Sequence, residues 1–157
     1  MQLYLLRHGV AEEARGALSD AERRLTEEGV EQMRAVGHAL AHRGLRLDAL
    51  LSSPLARARE TARIVAEALD APLAVEPSLA GGFSLGALQE IVGRHADVRR
   101  AMLVGHEPSL SRVAGQLVGG AAIELKKGGL IWIEADRLEP GGGVLRWLVT
   151  PSLLVRG

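Results

Sequence analysis

Leu3-Tyr4-Leu5-Leu6-Arg7-His8-Gly9 opens the chain with four apolar residues in a row, followed at once by an arginine, a histidine and a glycine. A run this short cannot cross a bilayer, and its lack of alternation is that of a strand covered on both faces within a parallel sheet. Two further runs, Leu47 to Leu51 and Ala101 to Val104, have the same character. Between them lie segments of helical period. Thr26 is placed to cap a helix with Glu27 and Glu28 in its first turn, and Val30, Met33, Gly37 and Leu40 fall on one face before an end near Gly44. Ser53-Pro54 predicts a second helix start, with the Ser53 hydroxyl as cap and Ala58, Ala62, Val65 and Leu69 as the inner stripe as far as Asp70.

The rest of the chain is read in the same way. Leu73 to Val75 is a short strand, Ser84 to His95 a helix, and Pro108 starts another helix that reaches about Val118. Ala122 to Leu125, Leu130 to Glu134 and Val144 to Thr150 read as strands separated by glycine-rich turns, added antiparallel to the sheet. The expected fold is a three-layer α/β/α domain over residues 1–157, with a mostly parallel central sheet, right-handed crossovers and antiparallel C-terminal strands. Ligands of such folds bind beyond the carboxyl ends of the strands.

Composition narrows the chemistry. A chain of 157 residues that is 47% apolar can bury one continuous core. Lysine plus arginine equals aspartate plus glutamate, 19 against 19, which argues against a nucleic acid or an anionic membrane as the main partner. The absence of cysteine excludes disulfides, thiolate nucleophiles and sulfur-based zinc sites, and leaves histidine as the soft nucleophile. With no secretory signal and no spanning segment in the reading, a cytoplasmic location is expected.

The residues that follow the three buried runs are Arg7 and His8, then Arg57 within SSPLARARETA, then His106 within VGHEP. All of them belong at one edge of the sheet. Leu6-Arg7-His8-Gly9, Ser53-Pro54-x-x-Arg57-Ala58-x-x-Thr61 and Val104-Gly105-His106, in this order, resemble the signatures of the histidine phosphatase superfamily, whose fold is phosphoglycerate mutase-like. Asp20-x-x-x-Arg24-Leu25-Thr26-x-x-Gly29 is similar to the segment after the first strand in SixA-type phosphohistidine phosphatases, and the short length agrees with that branch. The resemblance implies a metal-independent phosphatase without cofactor, in which His8 carries the phosphoryl group covalently. The implied substrate is a phosphorylated protein bearing phosphohistidine, or else a small phosphate.

The residue types suit that reading. A phosphoryl group in transfer spreads negative charge over three equatorial oxygens, and a metal-free site needs several fixed cations around it. Arg7 and Arg57 offer planar forks that stay charged, and His106 adds a third donor that helps most when protonated, a state the bound dianion would favour. His8 must attack as neutral imidazole. The opposite charge requirements of the two rings predict a bell-shaped activity profile in the weakly acidic to neutral range. Gly9 lets the backbone turn under the His8 ring and lets an amide approach the anion. Arg59, two residues from Arg57 on the same helix, faces solvent.

Three carboxylates are candidates for an acid or an orienting group. Glu107 follows His106, although a first-turn acid at a helix start also explains it; Asp20 reads equally as a cap beside Ser19; Glu76 follows the strand ending at Val75. Ser78 to Gly86, where mutases and phosphomonoesterases of the superfamily place their acid, holds no carboxylate, and the acid position reads as empty. His38, His42 and His95 read as surface or packing residues, and Trp132 and Trp147 as core or sheet-edge fillers. The competing readings are a small-molecule phosphomonoesterase acting on a sugar phosphate or nucleotide, a mutase, and a binding module that recognises phosphohistidine without turnover.

Overall fold

The computed structural model describes residues 1–156. Its sheet has six strands: β1 (Gln2–Arg7), β2 (Ala49–Ser52), β3 (Leu73–Val75), β4 (Arg100–Gly105), β5 (Leu130–Ala135) and β6 (Gly143–Val149). They lie in the order β3-β2-β4-β1-β5-β6. The first four in that order run parallel, while β5 is antiparallel to β1 and β6 to β5. The helices are α1 (Glu27–His42), α2 (Ala56–Leu69), α3 (Leu85–Arg94), α4 (Ser109–Leu117) and α5 (Pro151–Arg156). None of them is long and apolar enough to cross a membrane.

The unalternating strands are explained by two cores. Tyr4 and Leu6 point to one face of the sheet, where they meet Met33 and Leu40 of α1, Val65 of α2 and Leu154 of α5. Leu3 and Leu5 point to the other, against Leu88 and Ile91 of α3 and Leu110 and Leu117 of α4. Side chains alternate between faces along a strand, so a strand buried on both must be apolar at every position.

Several local expectations need correction. The second helix starts at Ala56 rather than at Ser53-Pro54, and its N-cap is Leu55 without a side-chain bond. Ser53 only accepts a 3.3 Å hydrogen bond from the Leu55 amide, and its hydroxyl is used elsewhere. Ala122 to Leu125 is loop, not strand: β5 takes the free edge of β1, and the Leu125 carbonyl is turned to the Arg7 guanidinium instead of a ladder. The short α5, unforeseen from the sequence, buries Leu154 against α1.

Glycine is required where α1 meets the segment after His8. A Cβ on Gly29 would sit 2.1 Å from the carbonyl oxygen of Val10, which accepts a 3.0 Å bond from the Thr26 amide. Backbone cannot yield as a side chain does. Gly29→Ala should therefore lower stability by about 2 kcal/mol or more, read as a drop in urea midpoint, while the same change at the exposed, uncrowded Gly93 of α3 should leave the midpoint unchanged or raise it slightly.

Candidate active site

Register brings the candidate residues together. Leu6 and Ser52 both pair with Val104, and Arg7 pairs with Gly105. The ladder continues one step beyond the strands, since the His8 amide donates to Gly105 O at 3.2 Å and the Ser53 amide to Val104 O at 3.0 Å. His8, Ser53 and His106 thus leave three adjacent strands at one edge. The His8 and His106 ring centroids are 5.3 Å apart.

His8 is buried, and its Nδ1 lies 2.7 Å from Gly9 O. A carbonyl only accepts, so Nδ1 carries the proton and Nε2 presents its lone pair. Arg57 Nε donates to that Nε2 at 3.3 Å. The guanidinium also donates from Nη1 to Asp20 O at 2.8 Å and from Nη2 to Asp20 Oδ2 at 3.2 Å. Arg7 is fixed by a 2.9 Å bond from Nη1 to Leu125 O, and its buried Nε has no partner. His106 Nε2 lies 2.7 Å from Ser53 Oγ, and its Nδ1 is likewise buried without a partner. Unpartnered buried polar atoms of this kind are costly unless something binds them.

The expected residues therefore separate. Arg7, His8, Arg57 and His106 converge. Gly9 is present, but its amide donates to Thr61 Oγ1 at 3.1 Å and is not directed at an anion. Its lack of a side chain serves packing instead, as a Cβ there would lie 2.8 Å from Met33 Cγ. Of the carboxylates, Asp20 alone reaches the cluster; it also lies 3.4 Å from Arg23 Nη1. Ser19, not Asp20, caps the adjoining single 3₁₀ turn. Glu107 accepts from the Ser111 amide at 3.0 Å and caps the first turn of α4, which leaves the His106 ring unoriented by it. Glu76 is bonded to Ser78 and pairs with Arg94 at 2.6 Å. It follows β3, three strand spacings or roughly 14 Å from β1.

Sequence reasoning missed Thr61 as the partner of the Gly9 amide, Ser53 as the partner of His106, the Leu125 carbonyl, and Arg23. Thr61 stood inside a quoted motif, and a hydroxyl four residues beyond Arg57 on one helix face was the available signal. The Leu125 carbonyl had none. His38 and His42 are exposed and His95 is half-buried. Trp132 packs between Tyr4, stacked at 5.8 Å, and Trp147, edge-on at 5.3 Å. Among the described residues no three acidic or imidazole side chains converge as metal ligands would.

Burial holds the His8 pKa down at about 3, with the charges of His106, Arg57 and Arg7 acting the same way and the Gly9 carbonyl opposing them. His106 is held at about 4, first by burial and then by Arg57, with Asp20 opposing and Arg7 and Arg23 adding to the depression. Without an anion both rings are neutral at neutral pH. The opposite charge states expected from the sequence are not a property of the free protein. Glu76 lies below the ordinary carboxylate range because bonds from Ser78 and Arg94 outweigh its burial, which acts in the raising direction.

Residues 3–83 match the histidine phosphatase superfamily (branch 1). An uncharacterized protein of Picosynechococcus is 36% identical over 141 residues, 86% of each chain. The phosphohistidine phosphatase SixA of Escherichia coli is 26% identical, covering 98% of this chain and 96% of that one. A solved structure of the protein histidine phosphatase SixA complexed with tungstate superposes with a TM-score of 0.86 at 25% identity, over 98% of this chain and 99% of that one. The alpha-ribazole phosphatase of Shigella flexneri shares the fold at a TM-score of 0.74 and 20% identity, over 96% of this chain and 97% of that one.

The neutral rings make stability depend on pH. An unfolded chain protonates histidine below about pH 6.5, whereas the folded rings resist until near pH 4 or below, so stability is complete above about 6.5 and is lost as pH falls through that window. For His8 the loss at pH 5 is about 2 kcal/mol, and His106, nearer solvent, adds less. Urea midpoints at pH 7 and pH 5 should differ more for the wild type than for His8→Asn. Equal differences would contradict the neutral, buried assignment.

Proposed function

The chain belongs to the histidine phosphatase superfamily and is a phosphatase, and from that premise we propose that it hydrolyses protein phosphohistidine through a covalent intermediate on His8. The observation that carries the substrate assignment is the fate of the three carboxylates. Glu107 caps a helix, Glu76 is tied to Arg94, and Asp20 is paired with Arg57. An ion-paired carboxylate offers lone pairs rather than a proton. A leaving alkoxide needs a proton donor, whereas imidazole departs from phosphorus with little help. The SixA relatives act in the same sense, as a phosphohistidine phosphatase and a protein histidine phosphatase that binds tungstate, a tetrahedral oxyanion.

The steps follow from the geometry. The substrate's phosphoryl oxygens take up the Nε of Arg7, the guanidinium of Arg57 and the Nδ1 face of His106. His8 Nε2 forms a bond to phosphorus as the bond to the substrate's imidazole nitrogen breaks; the electron pair leaves with that nitrogen, and the substrate ring, protonated at its other nitrogen, departs as neutral imidazole. The dianion raises the His106 pKa from its depressed value by favouring the charged form. His8 Nδ1 keeps its proton on the Gly9 carbonyl while the Nε2–P bond exists, which spreads the positive charge of the phosphorylated ring. Water then attacks phosphorus, its proton passes to a phosphate oxygen or to Asp20, and the Nε2 lone pair is restored. Arg7, Arg57 and His106 stand where a catalytic cation would be needed.

A small-molecule phosphomonoesterase is the second reading, favoured by a likeness of fold to the alpha-ribazole phosphatase. Catalytic efficiencies on a phosphohistidine protein, an aryl phosphate and a set of alkyl phosphates separate the two. The expected order is phosphohistidine, then aryl, with alkyl phosphates poorest. An alkyl phosphate as best substrate, with that activity selectively lost in Asp20→Asn, would establish the second reading instead.

His8→Ala should abolish turnover on every substrate while leaving the stability from urea unfolding within about 1 kcal/mol of the wild type. Labelled substrate should leave an acid-labile, alkali-stable adduct on His8, and label on Ser53 would overturn the mechanism. Vanadate should inhibit and prolonged dialysis against chelator should not. Activity lost on dialysis and restored by a divalent ion would show that a cation from solution completes the site.

A further inference from the structure

A cleft of about 490 Å³ opens beside the catalytic cluster, and Ser52 and Ala56, which flank Ser53 and Arg57 along the chain, line part of it. Arg59 and Arg63, one helical turn apart on the exposed side of α2, form one wall, and Arg24 forms another. Arg24 donates to Glu60 Oε1 from Nε at 2.8 Å and from Nη2 at 2.5 Å, while Glu60 Oε2 accepts from the Leu25 amide at 2.8 Å. That carboxylate is fully engaged. Arg59 and Arg63 have no carboxylate partner among the described residues. The cleft thus sets three guanidiniums against one carboxylate in a chain whose formal charges cancel.

Its floor is β3, whose Leu73 and Val75 are 42% and 51% exposed. β3 pairs with β2 on one side only, so its outer backbone edge is open. Surface cations around exposed aliphatic side chains and a free strand edge suit an extended segment that is acidic and partly apolar. Nucleic acid would need bases to stack, and none of the chain's aromatic residues lines this cleft.

We infer that the Arg24–Arg59–Arg63 cleft docks an acidic segment of the phosphorylated protein next to its phosphohistidine, so that protein substrates are selected by their flanking charge. The inference rests on the protein-phosphohistidine reading above. Arg59 and Arg63 lie outside the catalytic cluster, and their side chains make no hydrogen bond among the described residues, so they can be changed without disturbing it.

The test uses two fluorescent peptides that differ only in flanking the central histidine with glutamates or with glutamines. Each is used unphosphorylated for binding by anisotropy and phosphorylated for turnover. With wild type at low salt the acidic peptide should bind more tightly and turn over with about tenfold higher kcat/KM. In Arg59→Gln/Arg63→Gln, or in about 0.5 M salt, the two peptides should become equal, while p-nitrophenyl phosphate turnover by the variant stays at the wild-type level. Equal behaviour of the two peptides on wild type would overturn the inference. So would an equal loss on p-nitrophenyl phosphate, or tighter binding of a single-stranded oligonucleotide of matched charge. Failure of both phosphopeptides to turn over, with aryl phosphatase activity intact, would overturn the substrate reading alone, because the anisotropy of the unphosphorylated peptides decides docking independently.

Discussion

The parallel register of β2, β4 and β1 is the constraint from which the site follows. Because Leu6 and Ser52 both pair with Val104, the chains that leave these strands emerge side by side, and two amide bonds extend the ladder past the last paired residues. The burial of apolar side chains on both faces fixes that register, since a slip of one residue would exchange Leu3 and Leu5 with Tyr4 and Leu6 between two separately packed cores. The position of His8 relative to His106 is thus decided by leucines that touch neither.

Two guanidiniums and the ring proposed as nucleophile, which in that role must stay neutral, are held together in one place. The fold reconciles them by directing His8 Nδ1 into a carbonyl and by giving each guanidinium a backbone anchor, Leu125 O for Arg7 and Asp20 O for Arg57. The Leu125 carbonyl orients Arg7 without neutralising it, whereas Arg57 shares part of its charge with the Asp20 carboxylate. The depressed histidine pKa values come first from burial, and the positive field of the arginines acts in the same direction.

How much of this could be read from the sequence depends on the kind of signal each part leaves. The buried strands and the α1 face were legible because apolar period reflects burial directly. Arg7, His8, Arg57 and His106 were legible because they follow those strands. Ser53 was misread, since Ser-Pro before a helical stripe is also what a helix cap looks like, and only the third dimension shows that His106 claims the hydroxyl. The Asp20 contact was not legible either. It joins a loop to a helix 37 residues later, and its exposed, polar surroundings have no periodicity to betray it. The Leu125 carbonyl lies in a stretch expected to be strand, where it would have been spent on a ladder. Backbone groups carry no sequence signature, so anchors made by them appear only with coordinates.

The sheet ends at β6, where Val144, Leu145, Trp147 and Leu148 are all exposed, an edge that invites another strand to add. Two features oppose this. The pairing with β5 is irregular between Trp132 and Ile133, which leaves Arg146 as the extra residue on β6, and Arg146 bonds to Glu134 from that kinked position. A bulge twists the outer hydrogen-bonding groups out of line, and a charge there must be desolvated by any strand that approaches. Removing the extra residue would straighten the edge and leave four apolar residues in an unbroken run, two to each face, turning a guarded border into a template for self-association.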